Sequence, residues 1–173
     1  MMVPFQGRSL VLQNGTRIFP SHAPLNDAVD TFVHAPETPR THADLTHKIR
    51  SQHNDVATVC TITLQMTAPN PNNTADHWFP LQGGQRTRIS KQEIDRVCEC
   101  IESETADAVL LHCYHGLNRT LLVLAAVYLR QELSRGYRRT VEDALHCVRS
   151  IRPPGIVRGQ TVDALKSWWR RLN

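Results

Sequence analysis

The chain has 173 residues, 40% hydrophobic and 21% charged, enough for one domain with a sizeable core. Its net charge of +4 and pI near 9.0 give a mild basic bias, which suits a polyanionic substrate without demanding one. The longest apolar run, Leu121 to Leu129, covers nine residues, against the roughly 20 that a bilayer-spanning helix needs.

The N-terminus has no basic-then-apolar signal pattern, so an intracellular protein, nuclear or cytoplasmic, is expected. The cysteines, Cys60, Cys98, Cys100, Cys113 and Cys147, are odd in number and form no Cys-x-x-Cys pair. Neither a disulfide framework nor a zinc motif is expected, and a reducing compartment is. One domain over 1–173 is expected, with no internal repeat.

Residues 1–40 are proline-rich, with a short strand at Gly15–Phe19, and are expected to wrap a catalytic core of about 41–173. Thr41 caps a helix running to about Gln52, with Asp44 three residues on. The β-branched stretch 56–63 predicts a strand. A Pro/Asn loop follows, then a short strand at His77–Leu81, placed near an edge by Pro80. The segment 82–88 is a polar loop holding Gly83, Gly84, Arg86 and Arg88. Ser90 and Glu93 form a capping-box pair for a helix to about Ser103. Strand 108–112 and a helix over 119–134, ended by Gly136, come next. A helix over 140–150 and one over 160–172 flank the breaker Arg152-Pro153-Pro154-Gly155. Strands alternating with helices imply an α/β fold, a central mostly parallel sheet flanked by helices.

Between the strand at 108–112 and the apolar helix lies His112-Cys113-Tyr114-His115-Gly116-Leu117-Asn118-Arg119-Thr120. A cysteine at a strand end before a helix N-terminus sits among unpaired N–H groups. Such a place binds anions and favours thiolate over thiol. Gly116 permits the conformation that turns successive N–H groups inward. Arg119, six positions after Cys113, can return to the rim and clasp two anion oxygens.

The pattern Cys-x5-Arg-Thr, preceded by His112, resembles the signature of cysteine-dependent phosphatases, the protein tyrosine and dual-specificity superfamily. A second segment, Arg149-Ser150-Ile151-Arg152-Pro153-Pro154-Gly155-Ile156-Val157-Arg158-Gly159, resembles a stretch of the RNA triphosphatase domain of metazoan mRNA capping enzymes. His115 and Asn118 match the cradle of that family, and Phe79-Pro80-Leu81-Gln82-Gly83-Gly84 its preceding strand and loop. The chain is also similar to related RNA phosphatases of large DNA viruses and animal nuclei. Leu121 stands where the family usually has Gly, and Thr61-Ile62-Thr63-Leu64-Gln65 lacks the family's strand Asp. No Lys-x-Asp-Gly is present, so a guanylyltransferase half is not expected.

The resemblance implies a cysteine-phosphatase (dual-specificity-like) fold and hydrolysis of the γ, and possibly β, phosphate of 5′-triphosphorylated RNA, without metal or cofactor. Cys113 is the expected nucleophile, forming a phosphocysteine. Arg119 and the N–H groups of 114–119, thus of Tyr114, His115, Gly116, Leu117 and Asn118, stabilise the transferring oxygens. Thr120 hydrogen-bonds the sulfur. His112 either orients the turn from behind or packs in the core. Arg158, Arg152, Arg86 and Arg88 are either rim cations for inner phosphates or surface charges. Gln160 either positions the hydrolytic water or starts a helix. The loop 82–88 has no Asp or Glu to serve as general acid; Asp76 is the nearest upstream alternative. A nucleoside diphosphate leaves without a proton, so RNA tolerates that lack. A dual-specificity protein phosphatase is the alternative, and a catalytically silent phosphate-binding module a third reading. Cys60, on a neighbouring strand, is a candidate partner for oxidised Cys113. Trp78, Trp168 and Trp169 are expected in packing rather than base stacking.

Overall fold

A computed structural model describes residues 5–24, 38–82, 89–155 and 157–172. Five strands, β1 (Leu10–Val11), β2 (Arg17–Ser21), β3 (Val59–Thr63), β4 (His77–Trp78) and β5 (Ala108–His112), form one sheet. Its order is β1-β2-β5-β3-β4. All neighbours are parallel except β1 and β2, the mostly parallel arrangement expected. The helices are α1 (His42–Gln52), α2 (Lys91–Glu102), α3 (Arg119–Ser134), α4 (Val141–Ile151) and α5 (Gly159–Leu172).

Local chemistry sets the helix starts. Thr41 with Asp44, Ser90 with Glu93 and Thr140 with Asp143 each form a reciprocal capping box, satisfying two N-terminal donors per helix. α3 is different. From Arg119 to Val127 every residue is buried, as befits a helix covered on all sides.

Alternation along the strands splits the interior in two. Val109 and Leu111 of β5, Ile18 of β2 and Cys60 and Ile62 of β3 join the large core beneath α2, α3, α4 and α5. Ala108, Leu110 and Phe19 face the other way, onto Leu45 and Ile49 of α1. All five residues of β5 are buried, which explains its unbroken apolar run.

One sequence expectation changes here. The strand within the proline-rich first 40 residues is an interior member of the sheet, parallel to β5 from Arg17↔Ala108 to Ser21↔His112. Pro20 is tolerated because β1 pairs only as far as Ile18. Beyond that point the outer side of β2 has no strand among the described residues, and a missing N–H costs little there.

Candidate active site

β2, β3 and β5 end level with one another: Ser21 and Thr63 both lie opposite His112. Their chain continuations meet at the carboxyl edge of the sheet, where ligands bind in open α/β folds. The segment after β5 is tied to both neighbours. Leu64 N–H donates to the His112 carbonyl at 2.7 Å, and Ala23 N–H to the Tyr114 carbonyl at 2.8 Å. Gly116 has φ +68°, and a Cβ there would collide with the Ser21 carbonyl. Only glycine fits so close to β2 in that conformation.

Cys113 sits at the floor of this turn, 3% exposed. Thr120 Oγ1 donates to its Sγ at 3.1 Å. Burial alone would raise the thiol pKa. The Arg119 charge, the Thr120 hydroxyl and the N–H groups of Thr120 and Gly116 outweigh it and bring the pKa below its ordinary value. The thiolate form is therefore favoured relative to an ordinary cysteine.

Arg119 is 8% exposed. Its Nη1 donates to the carbonyls of Leu81 at 3.0 Å and Leu64 at 3.3 Å. The guanidinium also lies 5.3 Å from the centre of the Tyr114 ring, within cation–π range. Tyr114 is fixed in turn by its hydroxyl, which donates to Thr67 Oγ1 at 2.7 Å. One edge of the guanidinium is thus anchored to backbone beyond β3 and β4, setting the direction of the rest.

The other predicted residues separate by depth. His115 is exposed, Tyr114, Leu117 and Asn118 are half-buried, and Gly116 is buried. Asn118 Oδ1 accepts from the Arg158 N–H at 2.9 Å, so it joins the segment before α5 to the cradle. Arg158 and Gln160 are exposed. Arg152, a candidate rim cation, is instead fully buried behind the cradle. Its Nε donates to the Gly116 carbonyl at 3.1 Å and its Nη2 to the His115 carbonyl at 3.0 Å. Burial lowers its pKa to about 10, against the pull of Cys113. It braces the turn, holding carbonyls back so that N–H groups face the sulfur's side. Arg86, Arg88, Gly83 and Gly84 lie outside the described residues.

His112 is fully buried. Its Nδ1 lies 3.0 Å from the Cys113 carbonyl, and its Nε2 is 2.7 Å from Nε2 of His42. A carbonyl only accepts, so His112 donates from Nδ1 and accepts at Nε2. The proton between the rings is then His42's. His42 Nδ1 continues to the Asn73 carbonyl at 2.8 Å. Burial first, then the positive charge of His42, pushes the His112 pKa down to about 3. The buried ring is satisfied at both nitrogens, a geometry that both readings of His112 share. His42 escaped the sequence analysis; it lies 70 residues away and no local pattern marks it.

Two candidates move away from the site. Asp76 Oδ2 accepts from the Thr61 N–H at 2.7 Å and the Thr61 hydroxyl at 3.0 Å. Thr61 pairs with Leu110, two positions short of the sheet edge, so Asp76 is held back along the sheet rather than over the sulfur. Cys60 pairs with Val109, four residues before Cys113. At about 3.3 Å per residue that is roughly 13 Å, beyond the ~7 Å that a disulfide spans between Cα atoms. The indole N–H groups of Trp78, Trp168 and Trp169 donate to Gln65, Asp95 and Arg139; Trp168 and Trp169 are buried in the core, whereas Trp78 is 44% exposed.

No protein-family profile and no curated protein matches the sequence. Solved structures do. A kinase associated phosphatase (KAP), with its catalytic-site cysteine changed to serine, superposes with a TM-score of 0.67 at 16% identity, over 99% of this chain and 98% of that one. Human DUSP28 gives 0.57 at 18%, over 71% of this chain and 85% of its own. PTPMT1, solved in complex with PI(5)P, gives 0.56 at 14%, over 90% and 91%. At such identities the likeness is one of architecture: the chain has the fold of the cysteine-dependent, dual-specificity-type phosphatases.

Proposed function

We propose that the chain is a cysteine-dependent phosphatase of dual-specificity type. The observation that carries this reading is the Thr120 hydroxyl 3.1 Å from Cys113 Sγ, with the backbone-anchored Arg119 acting on the same sulfur. The thiolate attacks phosphorus, the P–O bond to the leaving group breaks, and a phosphocysteine forms. The cradle N–H groups and the free edge of Arg119 stabilise the transferring oxygens. Water then attacks phosphorus. The S–P bond breaks, inorganic phosphate leaves, and the Thr120 hydroxyl stabilises the departing thiolate. His112 and Arg152 act through the backbone that they hold. Arg158 and His115, both exposed, are rim groups for the rest of the substrate.

A phosphoprotein is the first substrate reading, since the fold is shared with a kinase associated phosphatase. RNA 5′-triphosphate is the second, favoured by a specific feature. Asp76 is committed to Thr61, and among the described residues no hydrogen bond or ion pair brings a carboxylate to Cys113 or Arg119. An alkoxide leaving group needs an acid; a nucleoside diphosphate does not. The Arg152–Gly155 segment, whose arginine braces the cradle, is also the stretch that resembles the capping-type enzymes.

The test compares phosphate release from phosphotyrosine peptides, phosphothreonine peptides and 5′-triphosphate RNA, with Cys113→Ser as the blank. Faster release from peptides supports the phosphoprotein reading, and faster release from RNA the second. No Cys113-dependent release from any of them would overturn the enzymatic assignment in favour of a silent phosphate-binding module.

A further inference from the structure

On the far side of β3 from the cradle, three donors converge that the phosphatase chemistry does not use. They are Cys60 of β3, His77 of β4 and Glu104, two residues past α2; a ligand atom from each lies within 4.8 Å of the other two. We propose that Cys60 Sγ, His77 Nε2 and Glu104 Oε2 form a binding site for a zinc ion, which staples the short edge strand β4 to the sheet.

The geometry favours a metal over a plain ion pair. His77 Nε2 and Glu104 Oε2 are 3.8 Å apart, too far for a hydrogen bond. A tetrahedral ion with bonds of about 2.0–2.2 Å to nitrogen and oxygen places such ligand atoms roughly 3.3–3.5 Å apart, so the pair needs to close by only a few tenths of an ångström to share one ion. Thiolate, imidazole and carboxylate together make a donor set that suits zinc.

The ligands are also oriented from behind, as metal ligands are. Glu104 Oε1 accepts from the N–H groups of Thr105 at 3.1 Å and Ala106 at 3.3 Å. Its other oxygen is thereby turned toward His77. The His77 ring lies against Phe79, with centroids 6.4 Å apart. Cys60 is buried, with a ligand atom within 4.8 Å of those of His77 and Glu104. Zinc replaces the Cys60 thiol proton: the S–H bond breaks, the S–Zn bond forms, and one proton passes to solvent. Water fills the remaining position.

The staple has a reason to exist. β4 has two residues, which pair with Ile62 and Thr63, and the segment after it continues with the Phe79 and Leu81 N–H groups on the Thr63 and Leu64 carbonyls. Three residues beyond β4 is Leu81, whose carbonyl holds Arg119. Fixing His77 to Cys60 and Glu104 fixes the strand that carries this anchor.

The test uses the full chain as Cys113→Ser, so that the cradle thiol cannot bind metal, freed of metal and titrated with cobalt(II) and then zinc. Expected are one equivalent of cobalt, a near-ultraviolet thiolate-to-cobalt charge-transfer band, its displacement by zinc, and a rise in melting temperature with zinc. Cys60→Ala removes the band. His77→Gln, at a half-exposed position, weakens zinc binding by more than the roughly 10–100-fold that losing a mere supporting partner of a ligand costs, while leaving the metal-free melting temperature unchanged. Absence of the band in the Cys113→Ser chain, or its persistence in a Cys60→Ala/His77→Gln double variant, overturns the proposal. No phosphatase activity is measured, so the outcome is independent of the function proposed above.

Discussion

Arg152 offers a sharp test of how the cradle is held. Replacing it by Met keeps most of the apolar stem and removes the donors to the Gly116 and His115 carbonyls. The bond to Gly116 is buried and that to His115 only partly so. A charge-assisted hydrogen bond contributes about 1.5–3 kcal/mol, and the Gly116 carbonyl would keep its desolvation cost unmatched. The His115 carbonyl can turn to water, so its loss is smaller, about 1 kcal/mol. Part of the sum is returned because a buried charge, costly enough to bring the Arg152 pKa down to about 10, is gone. Arg152→Met should therefore lose about 2–3 kcal/mol of stability, a fall of roughly 4–12 °C in melting temperature for a domain of this size. Urea unfolding measures the stability directly. Turnover should fall with kcat as well, because carbonyls released from behind let the N–H groups drift from the sulfur. A stability loss under about 1 kcal/mol, with KM raised and kcat unchanged, would refute the reasoning and place the side chain on the substrate.

Three further outcomes are expected. Alkylation of Cys113 should rise with pH through a midpoint below the usual thiol range, since Arg119, Thr120 and backbone N–H groups together outweigh burial; Thr120→Val should move that midpoint upward, and equal midpoints would count against the 3.1 Å contact. For His112 the folded pKa of about 3 lies below the ordinary 6.5, so between these values the unfolded chain binds the extra proton. Stability is then fully present above about pH 6.5 and lost as pH falls toward 3. His112→Gln should flatten that part of the urea-midpoint profile, and parallel profiles would show that another group is responsible. Gly116→Ala must relieve both a φ of +68° and a clash with the Ser21 carbonyl; kcat/KM should fall more than about tenfold, as a misplaced catalytic geometry costs, and a fully active variant would show that the turn need not lie so close to β2.

The helices were legible because their signals are local. A hydroxyl and a carboxylate three residues apart can satisfy each other's backbone within one turn, whatever the rest of the chain does. Thr41 with Asp44 and Ser90 with Glu93 could be found by inspection. The turn after β5 was legible for the same reason: Cys113, Gly116, Arg119 and Thr120 belong to one bend and one helix start. β2 was harder. Its proline and its proline-rich surroundings hide a strand that only the pairing with β5 reveals.

Sequence alone therefore determined which residues share the turn after β5, because Cys113, Gly116, Arg119 and Thr120 lie within eight consecutive positions and their geometry follows from backbone chemistry at short range. Tertiary structure decided what holds that turn and what lies outside it. Arg119 meets Leu64 and Leu81 across 55 and 38 residues, Arg152 meets Gly116 across 36, and His42 meets His112 across 70. Asp76 is drawn off to Thr61 by strand register, and Cys60, His77 and Glu104 become neighbours only once β3, β4 and the end of α2 are packed. Such contacts depend on where distant segments come to lie, and no spacing along the chain encodes that until the sheet has formed.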